Sequence, residues 1–146
     1  MKSGSLCKPW IGNIVDGKTH LPCQDCRMPK ALVVDDEPLI VLLAQDELQL
    51  AGFQVQSAAN GEEALALLDR DREWDLLLTD IRMPGQVDGW ELGRAALLLV
   101  PELRVVYASG YEDKPEGLSA REEFMNKPYE IEDLRGALIA LGFEVA

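Results

Sequence analysis

The sequence has no apolar run that approaches the roughly 20 residues needed to span a bilayer. Its N-terminal residues also lack the continuous apolar segment of a secretory signal peptide, so we expect a cytoplasmic protein with no membrane partner. Basic residues are scarce, because 14 Lys and Arg stand against 26 Asp and Glu and give a net charge of −12. This balance argues against direct nucleic-acid binding, since neutralising phosphates needs clustered Lys and Arg.

Cysteine and histidine are also rare, and every one of them lies within residues 1–29. These residues show no helical or strand period. We expect them to be a flexible extension, or one that a misplaced start codon added, ahead of a single domain over residues 30–146. The alternative is a zinc site, whose ligands by residue type would be Cys7, His20, Cys23 and Cys26. Their irregular spacing and single Cys-x-x-Cys pair count against it.

From Lys30 onward, short apolar runs alternate with helical patterns. Strands are predicted at 30–35, 53–57, 75–80, 104–108 and 123–126. Helices are predicted at 38–51, 62–72, 88–100 and 131–141, with a weak one around 116–121. The apolar face of the first helix would be formed by Leu39, Leu42, Leu43 and Leu50. The alternation predicts an α/β, flavodoxin-like doubly wound fold, with a five-stranded parallel sheet of order 2-1-3-4-5 and helices on both faces.

Acidic side chains stand at the ends of two of the predicted strands. Asp35 and Asp36 end the first strand, and Asp80 ends the third. These two strands are neighbours in the predicted order, so their carboxyl ends meet where such folds bind ligands. Like charges held together raise each other's pKa, and a hard divalent cation offsets that cost. The all-oxygen ligand set favours Mg²⁺.

A hydroxyl group and an ammonium group are predicted at the same edge of the sheet. Ser109 follows the fourth strand, and Lys127 follows the fifth. Taken singly, such a serine is more often a loop cap, and a lysine among acids is more often their counterion. Beside a hard cation, however, the two groups suit phosphoryl oxygens, and a carboxylate such as Asp80 can attack phosphorus to form an acyl phosphate.

Five motifs follow one another along the chain, each at the end of a predicted element. They are VVDDE (33–37), LLTDIRMPG (77–85), DGWEL (88–92), VVYASGY (105–111) and FMNKPY (124–129). In this order they resemble the receiver domain of bacterial two-component response regulators. The resemblance covers about residues 30–143, and five ordered motifs make it specific.

The resemblance implies a role for each of the site residues. Asp80 would be the phosphoacceptor, and Asp36 would ligate Mg²⁺ directly. Asp35 would bind the ion largely through water, and the backbone carbonyl of Arg82 would complete the protein ligands. The phosphoryl group would be held by Ser109 and Lys127. Phe124 matches the aromatic switch position, which turns inward when the hydroxyl group is drawn to the phosphate.

The sequence departs from the commonest receiver pattern in two segments. The loop after Asp80 is one residue longer, and the interval from Ser109 to Lys127 is several residues shorter. The fourth helix should therefore be short, mobile or partly absent, as in atypical receivers of the Phe-Ala-Thr-Gly-Tyr kind, which residues 107–111 resemble. This puts in doubt the usual dimerisation face, and we expect a monomer or a weak dimer. The Lys127–Pro128 bond is expected to be cis, as in receivers.

The function implied is phosphoryl transfer from a phospho-histidine on a sensor kinase or phosphotransfer protein, followed by the switching of a partner-binding surface. Because the sequence ends soon after the last predicted helix, we expect no DNA-binding output domain. The only catalysis expected is the domain's own phosphorylation and dephosphorylation. One alternative is a small Asp-nucleophile phosphohydrolase, but that chemistry requires a second Asp two residues after the nucleophilic one. Here Arg82 is two residues after Asp80, and Glu37 is two residues after Asp35. Another is an interaction module that works without phosphorylation.

Overall fold

The computed structural model describes residues 14–15, 18–19, 28–83, 85–110 and 115–143. Near the N-terminus, Ile14–Val15 (β1) pairs antiparallel with Lys18–Thr19 (β2). The flexible extension predicted for residues 1–29 falls mostly outside the described residues. The alternative zinc ligands, Cys7, His20, Cys23 and Cys26, lie entirely outside them.

A five-stranded sheet forms the centre of the domain. Its strands are β3 (Lys30–Val34), β4 (Gln54–Ala58), β5 (Leu76–Asp80), β6 (Arg104–Ser109) and β7 (Glu122–Asn126). All neighbours pair in parallel, in the order β4-β3-β5-β6-β7. Counted within this sheet the order is 2-1-3-4-5, so the predicted topology is confirmed.

Four helices cover the two faces of this sheet in the described part of the chain. They are α1 (Pro38–Leu50), α2 (Gly61–Arg70), α3 (Gly89–Leu99) and α4 (Ile131–Ala140). Helices α1 and α4 contribute to the core on one face, while α2 and α3 contribute to the core on the other. Proline at the first position of α1 and the capping box of Asp88 with Glu91 at α3 fix where these helices begin. None of the helices described is long and apolar enough to cross a membrane.

The prediction of a helix around residues 116–121 is wrong. Residues 115–121 form an irregular segment that leads directly into β7. Leu118 packs against the core, and the backbone N–H of Glu122 donates to the carbonyl of Ser119. The expectation of a short or partly absent fourth helix agrees with this segment.

The apolar face predicted for α1 is also wrong. The four leucines assigned to it are 55–75% exposed, namely Leu39, Leu42, Leu43 and Leu50. The helix instead buries Ala44 and Leu48 against the sheet. Five consecutive apolar residues, 39–43, encircle its first turns, so the period could not show which side meets the sheet.

Candidate functional site

Three carboxylates meet at the carboxyl edge of the sheet. Asp35 and Asp36 follow β3, Asp80 is the last residue of β5, and these two strands are paired. One oxygen from each side chain lies within 4.8 Å of the others. Asp35 and Asp80 are buried, whereas Asp36 is exposed. The pairing of β3 with β5 therefore brings together the acids that the sequence placed far apart.

Lys127 lies between the two buried acids. Its Nζ is 2.8 Å from Oδ2 of Asp35 and 3.4 Å from Oδ1 of Asp80. The Lys127–Pro128 bond is cis, as predicted. Burial by itself would lower the pKa of Lys127, but the hydrogen bond and charge of Asp35, with the charge of Asp80, outweigh burial and raise it. Lys127 is therefore a cation at neutral pH.

The charges of the site do not balance. Burial raises the pKa of Asp80, and the charge of Asp35 raises it further against the opposing effect of Lys127. Three carboxylates and one ammonium group leave −3 + 1 = −2 when all are ionised. That residual charge, together with hard oxygen donors within reach of one another, fits a divalent cation such as Mg²⁺.

Ser109 and Phe124 approach the site along β6 and β7. Ser109 is the last residue of β6 and is 1% exposed, and its carbonyl accepts the backbone N–H of Lys127 at 2.8 Å. Asp80 pairs with Ala108, so the hydroxyl group ends the strand beside the phosphoacceptor candidate. Phe124 pairs with Tyr107, two residues before Ser109, and its ring is buried.

The loop after Asp80 is tied to α2 by an acid that sequence reasoning missed. The backbone N–H of Gln86 donates to Oε2 of Glu62 at 2.8 Å. Gly85 turns the chain there with a φ of +101°, a conformation that glycine adopts at no steric cost. Arg82 is exposed at the start of this loop. No local signal could have found Glu62, since 24 residues separate it from Gln86.

An aromatic cluster lies beside the site. Trp90 of α3 contacts Tyr107, whose hydroxyl group donates to Glu122 at 2.8 Å. A Cβ added at Gly93 would lie 2.1 Å from that phenol oxygen, so the bare glycine makes room for the ring. The cluster packs β6 and β7 against the beginning of α3.

A family model described as the response regulator receiver domain matches residues 31–139. The chain belongs to this family. It is 37% identical over 105 residues to the C4-dicarboxylate transport transcriptional regulatory protein DctD of Rhizobium meliloti, a match that covers 69% of this chain and 22% of DctD. It is 32% identical over 114 residues to sporulation initiation phosphotransferase F of Bacillus subtilis, covering 75% of this chain and 90% of that protein. It spans less than half the length of DctD and of two further transcriptional regulators.

Solved receiver structures share the fold. The Vibrio cholerae chemotaxis protein CheY4 superposes with a TM-score of 0.68 at 29% identity, over 79% of this chain and 99% of that one. A chain from the complex of histidine kinase ThkA with response regulator protein TrrA gives 0.67 at 30% identity, over 80% and 100%. The predicted receiver family and fold are therefore confirmed, whereas the atypical Phe-Ala-Thr-Gly-Tyr kind stays a prediction.

A groove of about 1000 Å³ opens next to the receiver's acids, between α1 and the start of α4. Apolar side chains line it, including Ile40, Leu43 and Leu134. Acidic residues from both helices and the loops before them contribute to the same lining, namely Glu37, Glu47, Glu130 and Glu132. Asp80 and Lys127 also line the groove, so a molecule seated in it would contact the buried site.

Proposed function

We propose that this receiver accepts a phosphoryl group on Asp80, in a reaction that depends on Mg²⁺ and draws on a phospho-histidine. The observation that carries the proposal is the position of the Asp80 carboxylate. It is buried, shares a cluster of oxygens with Asp35 and Asp36, and lies 3.4 Å from the Nζ of Lys127. A carboxylate alone repels an anionic phosphodonor, and this setting supplies the groups that offset the repulsion.

In the proposed step, an oxygen of the Asp80 carboxylate attacks phosphorus. The new O–P bond forms as the N–P bond of the phospho-histidine breaks, and the released imidazole nitrogen takes up a proton. Mg²⁺, when bound by Asp36, Asp80 and the carbonyl of Arg82, would draw charge from the phosphoryl oxygens, with Asp35 acting largely through water. Lys127 would pair with one of those oxygens, and the Ser109 hydroxyl group would donate to another.

The donor would dock in the groove beside Asp80. The solved complex of ThkA with TrrA shows a related chain bound by a histidine kinase. In the present chain, Leu43 of α1 lines the groove, is 63% exposed and offers apolar contact to a helix of the donor. We propose that the exchange takes place in the cytoplasm, and that the domain catalyses only its own phosphorylation and dephosphorylation. The output is a change in partner binding near Ser109 and Phe124.

The test compares the wild type with Asp80→Asn and Asp46→Asn. The control replaces an exposed acid on α1 by the same chemical change. Each protein is incubated with Mg²⁺ and acetyl phosphate and then analysed by intact mass spectrometry. A base-labile gain of one phosphoryl group in the wild type and in Asp46→Asn, absent from Asp80→Asn, is the expected result.

Two other outcomes would overturn the proposal. Steady release of phosphate without an adduct would favour the phosphohydrolase. Neither adduct nor release, from acetyl phosphate or from a phosphorylated histidine kinase, would favour an interaction module that works without phosphorylation.

A further inference from the structure

The indole ring of Trp90 covers the aromatic residues of the two last strands. It lies 4.5 Å from the ring of Tyr107, centroid to centroid, and 6.4 Å from that of Phe124. The planes of Trp90 and Phe124 differ by only 9°, so the two rings are stacked. Because Tyr107 and Phe124 pair across β6 and β7, the three rings form one continuous group on the α2–α3 face of the sheet.

This group adjoins the candidate phosphoryl site on two sides. Along β6, Ser109 is two residues beyond Tyr107, so both side chains point to the same face. Along the chain from Asp80, the loop leads to α3, and the backbone N–H of Gly89 donates to the carbonyl of Ile81 at 2.8 Å. Trp90 is the next residue. A single side chain therefore contacts the predicted switch ring and stands at the end of the phosphoacceptor loop.

The irregular segment 115–121 adjoins the same aromatic group. The described residues between β6 and β7 form no helix. From that segment, Leu118 packs against the same core as Phe124. At its end, Glu122 accepts hydrogen bonds from the Tyr107 hydroxyl group and from the backbone N–H of Ser119. Trp90 adds a stacked aromatic contact to Phe124.

We propose that Trp90 is a positioning residue for the phosphoryl switch. Its ring holds Phe124 in the buried position, and phosphorylation of Asp80 changes the surroundings of Trp90 through Phe124. The inference rests on the proposed function, because it needs the aspartyl phosphate. It places the beginning of α3 within the surface that responds to phosphorylation.

The first test uses the full wild-type chain, in which every tryptophan is replaced by 5-fluorotryptophan and observed by ¹⁹F NMR. Trp90→Phe assigns the ¹⁹F resonance of Trp90, and Trp74, buried near the opposite edge of the sheet, serves as internal reference. With Mg²⁺ and acetyl phosphate, the Trp90 resonance should move and the Trp74 resonance should stay. Phe124→Leu should still gain the phosphoryl mass but lose the movement of the Trp90 resonance.

Mass spectrometry separates failure of this inference from failure of the proposed function. An adduct on the wild type with an unmoved Trp90 resonance overturns the role of Trp90 alone. A Trp90 resonance that moves equally in Phe124→Leu overturns the route through Phe124. The absence of any adduct overturns the proposed function, and the inference falls with it.

The second test measures how fast the adduct forms. Trp90→Ala should slow the reaction with acetyl phosphate because the buried position of Phe124 becomes less populated. The expected slowing is roughly 2- to 12-fold, which is the interaction free energy of one aromatic pair converted to a ratio of rates. Trp90→Phe should retain most of the rate, and Leu98→Ala, an 84% exposed position on the same helix, should retain all of it. Mg²⁺ affinity should be unchanged in all three. An unchanged rate in Trp90→Ala, or a loss that follows weakened Mg²⁺ binding, overturns the proposal.

Discussion

Replacing Lys127 with methionine removes the positive charge between two buried carboxylates while keeping a long side chain. In the wild type the Nζ atom lies 2.8 Å from Asp35 and 3.4 Å from Asp80, and the side chains of Lys127 and Asp35 are only 16% and 4% exposed. Removing one partner of a buried ion pair leaves an uncompensated charge and typically costs about 3–5 kcal/mol. We expect Lys127→Met to lower the free energy of unfolding by about that amount at neutral pH without Mg²⁺.

Urea denaturation followed by circular dichroism measures this loss. Adding Mg²⁺ should restore part of it, because the ion offers positive charge to the same oxygens. Asp35→Asn combined with Lys127→Met should also recover stability, since the orphaned charge is then gone. The loss of unfolding free energy in Lys127→Met should shrink as the pH falls. The pKa of Asp80 is raised, so its carboxylate takes up a proton at a pH above the ordinary pKa of 3.8. The sign follows from linkage: the contribution of Asp80 to stability is present below pH 3.8 and is lost as the pH rises through its folded-state pKa.

The control is Arg72→Met, which removes an ion pair that has similar geometry but is exposed to solvent. The Nη2 atom of Arg72 lies 2.8 Å from Oδ1 of Asp69, and the two side chains are 55% and 69% exposed. Such surface pairs contribute at most about 1 kcal/mol. Either of two results refutes the claim that Lys127 compensates the charge of the buried carboxylates: Lys127→Met lowers the free energy of unfolding no more than Arg72→Met does, or neither Mg²⁺ nor Asp35→Asn restores stability.

Two further predictions concern the metal and a neighbouring phenol. Mg²⁺ at 100 times its Kd should stabilise the wild type by about 2.7 kcal/mol in thermal unfolding. Asp36→Asn should weaken this gain, whereas the control Asp46→Asn should not. An equal gain in both variants would argue against ligation by Asp36. Burial and the nearby charge of Asp35 raise the pKa of Tyr129 to about 12, so absorbance at 295 nm should show a phenol titrating there that Tyr129→Phe removes. The contribution of Tyr129 to stability should be present below pH 10 and lost as the pH rises toward 12, and titration at the ordinary value of 10.0 in a folded chain would contradict this.

The sequence was sufficient to predict the sheet and the acids at its edge. Uninterrupted apolar runs such as Leu76–Leu78 are typical of strands buried on both faces, and the acids of the site follow two such runs, at Asp35 and at Asp80. Parallel pairing then brings those ends together without further information. The positions of Asp35, Asp80 and Lys127 follow from topology alone, because β3, β5 and β7 all end at one edge.

Features that depend on contacts between distant elements could not be read in this way. The exposed leucines of α1 were misplaced because a helix that is apolar on several sides gives no direction to its packing. The anchoring of the loop after Asp80 by Glu62 and the contact of Trp90 with Phe124 each join residues more than 20 positions apart. The weak helical pattern at 116–121 does not form a helix because tertiary contacts outweigh it. Leu118 packs against the core, and Glu122 accepts a hydrogen bond from Tyr107 of the sheet.

The fit between Gly93 and Tyr107 has a consequence for how this sequence can vary. A Cβ at position 93 would lie 2.1 Å from the phenol oxygen and 2.6 Å from a ring carbon, so phenylalanine at 107 would collide with it as well. Gly93 is therefore not free to change while an aromatic ring occupies position 107. In relatives with the same packing, a side chain at the position of Gly93 should occur only with a residue smaller than an aromatic ring at the position of Tyr107. The two positions should therefore covary in an alignment although they lie on different elements.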